Sequence, residues 1–257
     1  MTRTLRLLAV GWFFHLKMLS RSSFDSFLAI LWPLFFATVA FFMFRAGGDP
    51  DALVYASLGA AVMGIWTATS VSAGSALQRE RWFGTLELLV AAPAHFSLVL
   101  LPLAFATSAI GVYCMVTTLL WGRFVFGIDL TVEEPLLMAA AIPATVLSIG
   151  ALGFLIAVAF ARYRHAWALG AMSEYPVWLV CGFLVPLTLL PDWTRPISWA
   201  LAPTWGMRAI RESASGGTPL PDVGMCFVLG AAYVGLGILV TDSVLRAARA
   251  RASLSLS

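Results

Sequence analysis

The chain has 257 residues, 60% hydrophobic and 11% charged, with a mean hydropathy of +0.89 and a net charge of +3. A soluble domain carries roughly 25% charged residues, so this chain could not clothe a water-exposed surface, and it reads as a polytopic membrane protein. The small net charge excludes the basic footprint of a nucleic-acid binder, and the scattered Cys114, Cys181 and Cys226 and His15, His95 and His165 supply neither a disulfide framework nor metal-ligand spacing.

Residues 1–23 are too polar to span. At about 100° per residue, Leu5, Leu8, Trp12, Leu16 and Leu19 share one helical face. Arg3, Arg6, Lys17 and Arg21 cluster opposite, as on a helix lying in the membrane interface with its cations toward lipid headgroups. The charged part is long and the next apolar run exceeds a signal-peptide core, which argues against a cleaved leader.

Six apolar runs follow, over 24–44, 52–77, 96–121, 135–160, 167–190 and 222–245. Each reaches the roughly 20 residues that cross about 30 Å of hydrocarbon. The expected fold is all-α, with six spans in one transmembrane domain covering 1–257. An even count puts both termini on one side. That side holds eleven Lys and Arg (Arg3, Arg6, Lys17, Arg21, Arg79, Arg81, Arg162, Arg164, Arg246, Arg249 and Arg251) against five on the other. The excess marks it as cytoplasmic.

The second run repeats a small residue every fourth position, at Ala52, Ala56, Ala60, Gly64, Ala68, Ser72 and Ala76. Such a stripe lets helix backbones approach closely in lipid. Its spacing leaves open whether it faces the same chain or a second copy. Gly150 and Gly153 make a shorter version in the fourth run, and Pro33 and Pro143 should kink their spans.

Between the second and third runs lies Gln78-Arg79-Glu80-Arg81-Trp82-Phe83-Gly84-Thr85-Leu86-Glu87-Leu88-Leu89-Val90-Ala91-Ala92-Pro93. On a helix, Trp82, Phe83, Leu86, Leu89 and Val90 fall on one side. Glu80, Arg81, Gly84 and Glu87 fall largely on the other. Pro93 ends the segment because it lacks an N–H and clashes with the preceding turn. The apolar side can rest on the bundle while the charged side faces water.

The fifth run contains Glu174-Tyr175-Pro176 near the bilayer middle. A carboxylate at that depth is costly and a functional candidate by default. Glu174 reads as a structural hydrogen bond to a neighbouring helix, a translocation-pathway residue or, behind these two, a proton-coupled site. Residues 191–221 are rich in Pro and Trp, suited to the outer interface. The stretch from Arg195 to Arg211 can form short helices, with Gly216-Gly217 turning the chain back. Residues 246–257 are a basic tail. No G-x-x-x-x-G-K-[ST] occurs, so the chain lacks a P-loop of its own.

The ordered run Glu80-Arg81-Trp82-Phe83-Gly84-Thr85-Leu86-Glu87-Leu88-Leu89, closed by Pro93, resembles the cytoplasmic motif of ABC-2 type exporter permeases. The looser order of Phe183, Pro186, Leu190-Pro191-Asp192-Trp193, Ala202-Pro203-Thr204 and Ala209-Ile210-Arg211 is similar to the re-entrant segment that such permeases dip between their last two spans. The resemblance implies an elbow helix over 1–23, a coupling helix over 79–92 and an outer re-entrant segment over 191–221. Glu80, Arg81, Trp82, Phe83, Gly84, Thr85 and Glu87 would then meet two copies of a P-loop ATPase subunit, which holds the ATP and Mg. A second six-helix permease, identical or related, would complete the pathway, and this chain would itself catalyse nothing and bind no cofactor. Glu174 and Tyr175 are candidate pathway or buried polar residues, and Ala56, Ala60, Gly64 and Ala68 candidate packing residues. The apolar, aromatic spans suit export of a drug, an antibiotic or a lipid-like molecule across the inner (plasma) membrane. Polysaccharide and haem exporters share the resemblance. An ion-coupled secondary transporter would show internal repeats or several buried charges, and the sequence offers one mid-span acid.

Overall fold

In hydrocarbon, backbone polar groups have to be satisfied within their own segment, so long apolar runs become long helices. The computed structural model describes residues 3–21, 23–48, 50–82, 84, 95–160 and 166–251. Among these residues there are nine α-helices and no strand. They are α1 Arg3–Arg21, α2 Ser23–Ala46, α3 Pro50–Trp82, α4 Ser97–Phe126, α5 Pro135–Phe160, α6 Ala166–Val180, α7 Arg195–Trp199, α8 Ala202–Ala214 and α9 Leu220–Arg251.

Among the described residues, four stretches are long and apolar enough to cross a membrane: Asp51–Val71, Ser97–Phe126, Pro135–Ala159 and Leu220–Thr241. The chain is a multi-pass membrane protein on that ground. In α2, the apolar stretch among the described residues is Pro33–Ala46.

The apolar run over 167–190 does not form one helix. Its helix ends at Val180, and the cause is a left-handed glycine cap. Gly182 takes φ 74. Its N–H bonds to the Leu179 carbonyl at 3.3 Å, and the Phe183 N–H to the Trp178 carbonyl at 3.3 Å. These two bonds reverse the chain and satisfy carbonyls at the helix end. Two short 3-10 turns, Leu187–Leu189 and Asp192–Thr194, then lead into α7 and α8.

α3 is the central post. It packs mainly on α4 and α6 and also on α2, while α5 joins α4 to α9 and α8. Small residues set these distances. A Cβ at Gly64 would stand 2.8 Å from the Cys114 Cβ, and one at Gly111 would stand 2.6 Å from the Ile65 Cα. Either would have to push a neighbouring helix away. The core between them holds Val62, Ile65, Trp66, Met115, Ile149, Phe183 and Met207. Outward, α9 exposes Phe227, Val228, Leu236 and Leu239, side chains that suit lipid rather than water.

α1 lies along α4, with Gly11 against Pro102. Its two faces are less cleanly divided than the sequence suggests. Leu8, Leu16 and Leu19 are half-buried, but Leu5 and Trp12 are exposed. Val10, Phe13 and Phe14 are exposed beside Arg6, Lys17 and Arg21. α4 shields only one edge of the helix, so apolar and basic residues share the open side.

Candidate functional site

The segment expected over 79–92 begins inside the last turn of α3. Arg79 to Trp82 are the last turn of that helix rather than the start of a separate one. Gly84 is exposed and left-handed at φ 67, and among the described residues nothing lies within 4 Å of where a Cβ would stand. A left-handed residue cannot lie inside an α-helix, so 79–92 is not one unbroken helix. Glycine is needed here for its backbone freedom. Phe83, Thr85 and Glu87, with the rest of 85–94, lie outside the described residues, as do the side chains of Glu80, Arg81 and Trp82.

Glu174 sits on α6 and is 4% exposed. The Thr67 hydroxyl of α3 donates to its Oε1 at 2.5 Å. Of the three roles its sequence position allows, a hydrogen bond to a neighbouring helix is therefore present. One turn on, Trp178 meets Tyr175 and Phe36, with ring centroids 5.1 Å apart in both pairs, and Tyr175 reaches Phe36 at 6.5 Å. All three pairs are edge-to-face, the geometry that aromatic quadrupoles favour. Tyr175 is 49% exposed, so α2 and α6 together present an aromatic surface beside a buried acid.

The small-residue stripe turns toward this chain's own helices. Ala56, Ala60 and Gly64 are buried and Ala68 is half-buried. Ala60 clusters with Ala37 and Phe41 of α2. Gly64 faces Cys114 of α4 and Pro33 of α2. The side chains of Ser72 and Ala76 lie outside the described residues.

The most densely bonded polar group was not a candidate from sequence. Arg211 of α8 donates through Nη1 to the Gly182 carbonyl at 2.7 Å. Its Nη2 donates to the Phe183 carbonyl at 2.8 Å and the Tyr55 carbonyl at 3.2 Å. The guanidinium lies 3.2 Å from the centroid of the Tyr55 ring, and the Tyr55 hydroxyl donates to the same Gly182 carbonyl at 3.0 Å. The cation thus faces the C-terminal end of α6, where the helix dipole is negative. Burial pushes its pKa down to about 10, with Tyr55 opposing the shift, so it is charged at neutral pH. Gly59 completes the arrangement, because a Cβ there would overlap the Phe183 carbonyl. Three elements meet at this one latch.

A second tie lies behind it. The Tyr233 hydroxyl of α9 donates to the Ala200 carbonyl and accepts from the Ala202 N–H at 3.1 Å. It bridges the end of α7 and the start of α8. The sequence signals for the latch are faint: a glycine off the four-residue stripe, and Gly182 followed by Pro186.

A profile of the ABC-2 type transporter family matches residues 5–214. The chain belongs to the ABC-2 type transporter family. No curated relative matches it. The match to the ABC-2 family runs from α1 to the end of α8, takes in residues 79–93 and Arg211, and leaves α9 beyond it. This ABC-2 protein is a transmembrane ABC permease, a non-catalytic membrane subunit.

Proposed function

We propose that the chain is the permease subunit of an ATP-driven exporter that moves a hydrophobic or amphipathic molecule, such as a drug, an antibiotic or a lipid-like compound, out of the cell. The carrying observation is that the family match over 5–214 encloses the motif from Glu80 to Pro93. In this reading the chain is one transmembrane domain of six spans, with α1 as an interfacial elbow and 191–221 as the outer re-entrant segment. Both termini are cytoplasmic, and the membrane is the inner (plasma) membrane. Two copies of a P-loop ATPase, holding ATP and Mg, dock from below, and a second permease completes the pathway.

Glu80, Arg81, Trp82, Phe83, Gly84, Thr85 and Glu87 form the docking lever in this scheme. Closure of the ATPase pair presses on them and biases a two-state bundle. Glu174 and Tyr175 line or border the pathway. Support for an apolar cargo comes from the aromatic cluster of Phe36, Tyr175 and Trp178 and from the apolar outer faces of α2 and α6.

The test is reconstitution with the ATPase subunit and a Glu87→Lys variant. The variant inserts in the membrane as the unaltered chain does, and ATP hydrolysis stimulated by the permease is lost. Normal stimulation in Glu87→Lys counts against the lever. A chain that transports with no nucleotide-hydrolysing companion counts against the whole reading.

A further inference from the structure

An apolar cavity of about 150 Å³ lies at the end of the bundle that carries the 127–134 loop. Its walls come from four helices: Val62 of α3, Met115 of α4, Ile142 of α5 and Ile210 of α8. Its roof is the loop itself, through Leu130 and Val132. Thr131 is the one polar residue in its lining, and its side chain is exposed. We propose that this cavity is a binding site for a benzene-sized apolar group, either the end of a lipid acyl chain or a small lipophilic molecule.

The physical case begins with the contrast around it. Elsewhere α3 and α4 touch so closely that a single methyl at Gly64 or Gly111 does not fit. Around the cavity the same two helices leave a hole lined by aliphatic side chains. Side chains bordering a void lose dispersion contacts on that side. Water does not compensate, since it needs 2–4 polar partners, whereas aliphatic-lined cavities of about this size stay dry and accept benzene or xenon. A hydrocarbon or aromatic group restores the missing contacts without leaving any polar atom unpaired.

The roof is placed to respond. Gly127 ends α4 in the left-handed conformation at φ 67, and the loop then crosses to α8. There the Glu133 N–H bonds to the Ala214 carbonyl at 3.2 Å and the Glu134 N–H to the Ser213 carbonyl at 3.1 Å. Ala214 itself lines the cavity. An occupant would therefore touch α3, α4, α5, α8 and the loop at once, and would hold this end of the bundle together. The site is separate from the coupling segment and from Glu174, so it does not depend on the exporter reading.

The experiment titrates fluorobenzene into the full chain in detergent and follows it by fluorine NMR. A saturable bound resonance is expected, separate from the micelle signal. Ala214→Leu places three added carbons toward the cavity and weakens that binding at least tenfold. A nitroxide on Thr131→Cys gives a check that leaves the core untouched, since the native Cys114, Cys181 and Cys226 are buried. It broadens the bound resonance and spares the micelle signal. A saturable signal that appears only after lipid is stripped identifies an acyl chain as the resident. One present in the chain as purified identifies an accessible site for free lipophilic molecules. A non-saturable signal that neither the Leu substitution nor the nitroxide alters is partition into detergent, and it overturns the proposal.

Discussion

Removing the Arg211 guanidinium tests the latch directly. Arg211→Ala deletes the two short charge-assisted bonds, at 2.7 and 2.8 Å, and the contact with the Tyr55 ring. Hydrogen bonds to charged groups contribute about 1.5–3 kcal/mol each, giving a gross loss of about 3–6 kcal/mol. Part is returned, because a guanidinium without a carboxylate partner no longer has to be buried. A net cost of about 2–4 kcal/mol corresponds to roughly 30- to 700-fold more frequent opening. The Gly182 carbonyl keeps the Tyr55 hydroxyl in this variant, but the Phe183 carbonyl keeps nothing from the latch. The buried Cys181 thiol, one residue before Gly182, reports the opening. Maleimide labelling in membranes, read peptide by peptide, should accelerate at Cys181 and leave Cys114 and Cys226 unchanged. Tyr55→Phe removes one neutral bond whose acceptor Arg211 still satisfies, so it costs only about 0.5–1.5 kcal/mol. Arg211→Lys falls between, since an ammonium cannot fork across two carbonyls. Unchanged Cys181 labelling in Arg211→Ala, or equal acceleration at all three cysteines, refutes a local latch.

Packing and the buried acid give two further tests. Gly64→Ala forces a Cβ to 2.8 Å from the Cys114 Cβ and should cost about 1–3 kcal/mol as overpacking. Gly235→Ala on α9, which meets nothing within 4 Å, should instead gain about 0.5–1 kcal/mol from helix propensity; thermal unfolding in detergent separates the two signs. Glu174→Gln keeps an oxygen for the Thr67 hydroxyl and should change stability by less than about 1 kcal/mol, whereas Glu174→Leu leaves that hydroxyl without its acceptor and costs about 1–3 kcal/mol. If Glu174→Gln also retains full cargo-stimulated ATP hydrolysis in the assembled transporter, the carboxylate charge has no part in the pathway.

The helices themselves were legible because lipid leaves the backbone so few choices. Apolar runs at 52–77, 96–121 and 135–160 appear as α3, α4 and α5, with shifts of a few residues at most of their ends. α3 and α4 each overrun the far end of their runs by five residues, and α3 is instructive. α3 runs on to Trp82, because Gln78 to Trp82 are good helix formers and nothing breaks the chain before Gly84. Hydropathy ends a span at the first charges, but helix geometry does not. The opposite error occurs at 167–190, where hydropathy stays high while the helix stops at Val180. An apolar run does not reveal a left-handed glycine cap, nor that Arg211, distant in sequence, donates to the Gly182 and Phe183 carbonyls at that turn. The Glu174 partner was hidden for the same reason. Thr67 is an unremarkable hydroxyl within an apolar helix until α6 is laid against it.

The position of Arg211 also explains why a non-helical turn can exist at this end of the bundle. Irregular backbone is tolerated in membrane proteins only where protein groups replace the missing intrahelical bonds. Here one fork-shaped cation and one phenol serve that purpose, and both are held by α3, through the Tyr55 carbonyl and the absence of a side chain at Gly59. α3 continues without an internal proline from there to Trp82. At 1.5 Å per residue, Gly59 and Trp82 stand about 35 Å apart, a little more than the roughly 30 Å of hydrocarbon. The proposed docking lever and the latch therefore lie far apart along a single helix. A rigid rod transmits displacement without needing a chain of intermediate contacts. In the proposed scheme, pressure at the 79–82 end bears on the Tyr55 and Gly59 end, where Arg211 ties α3 to the turn after α6.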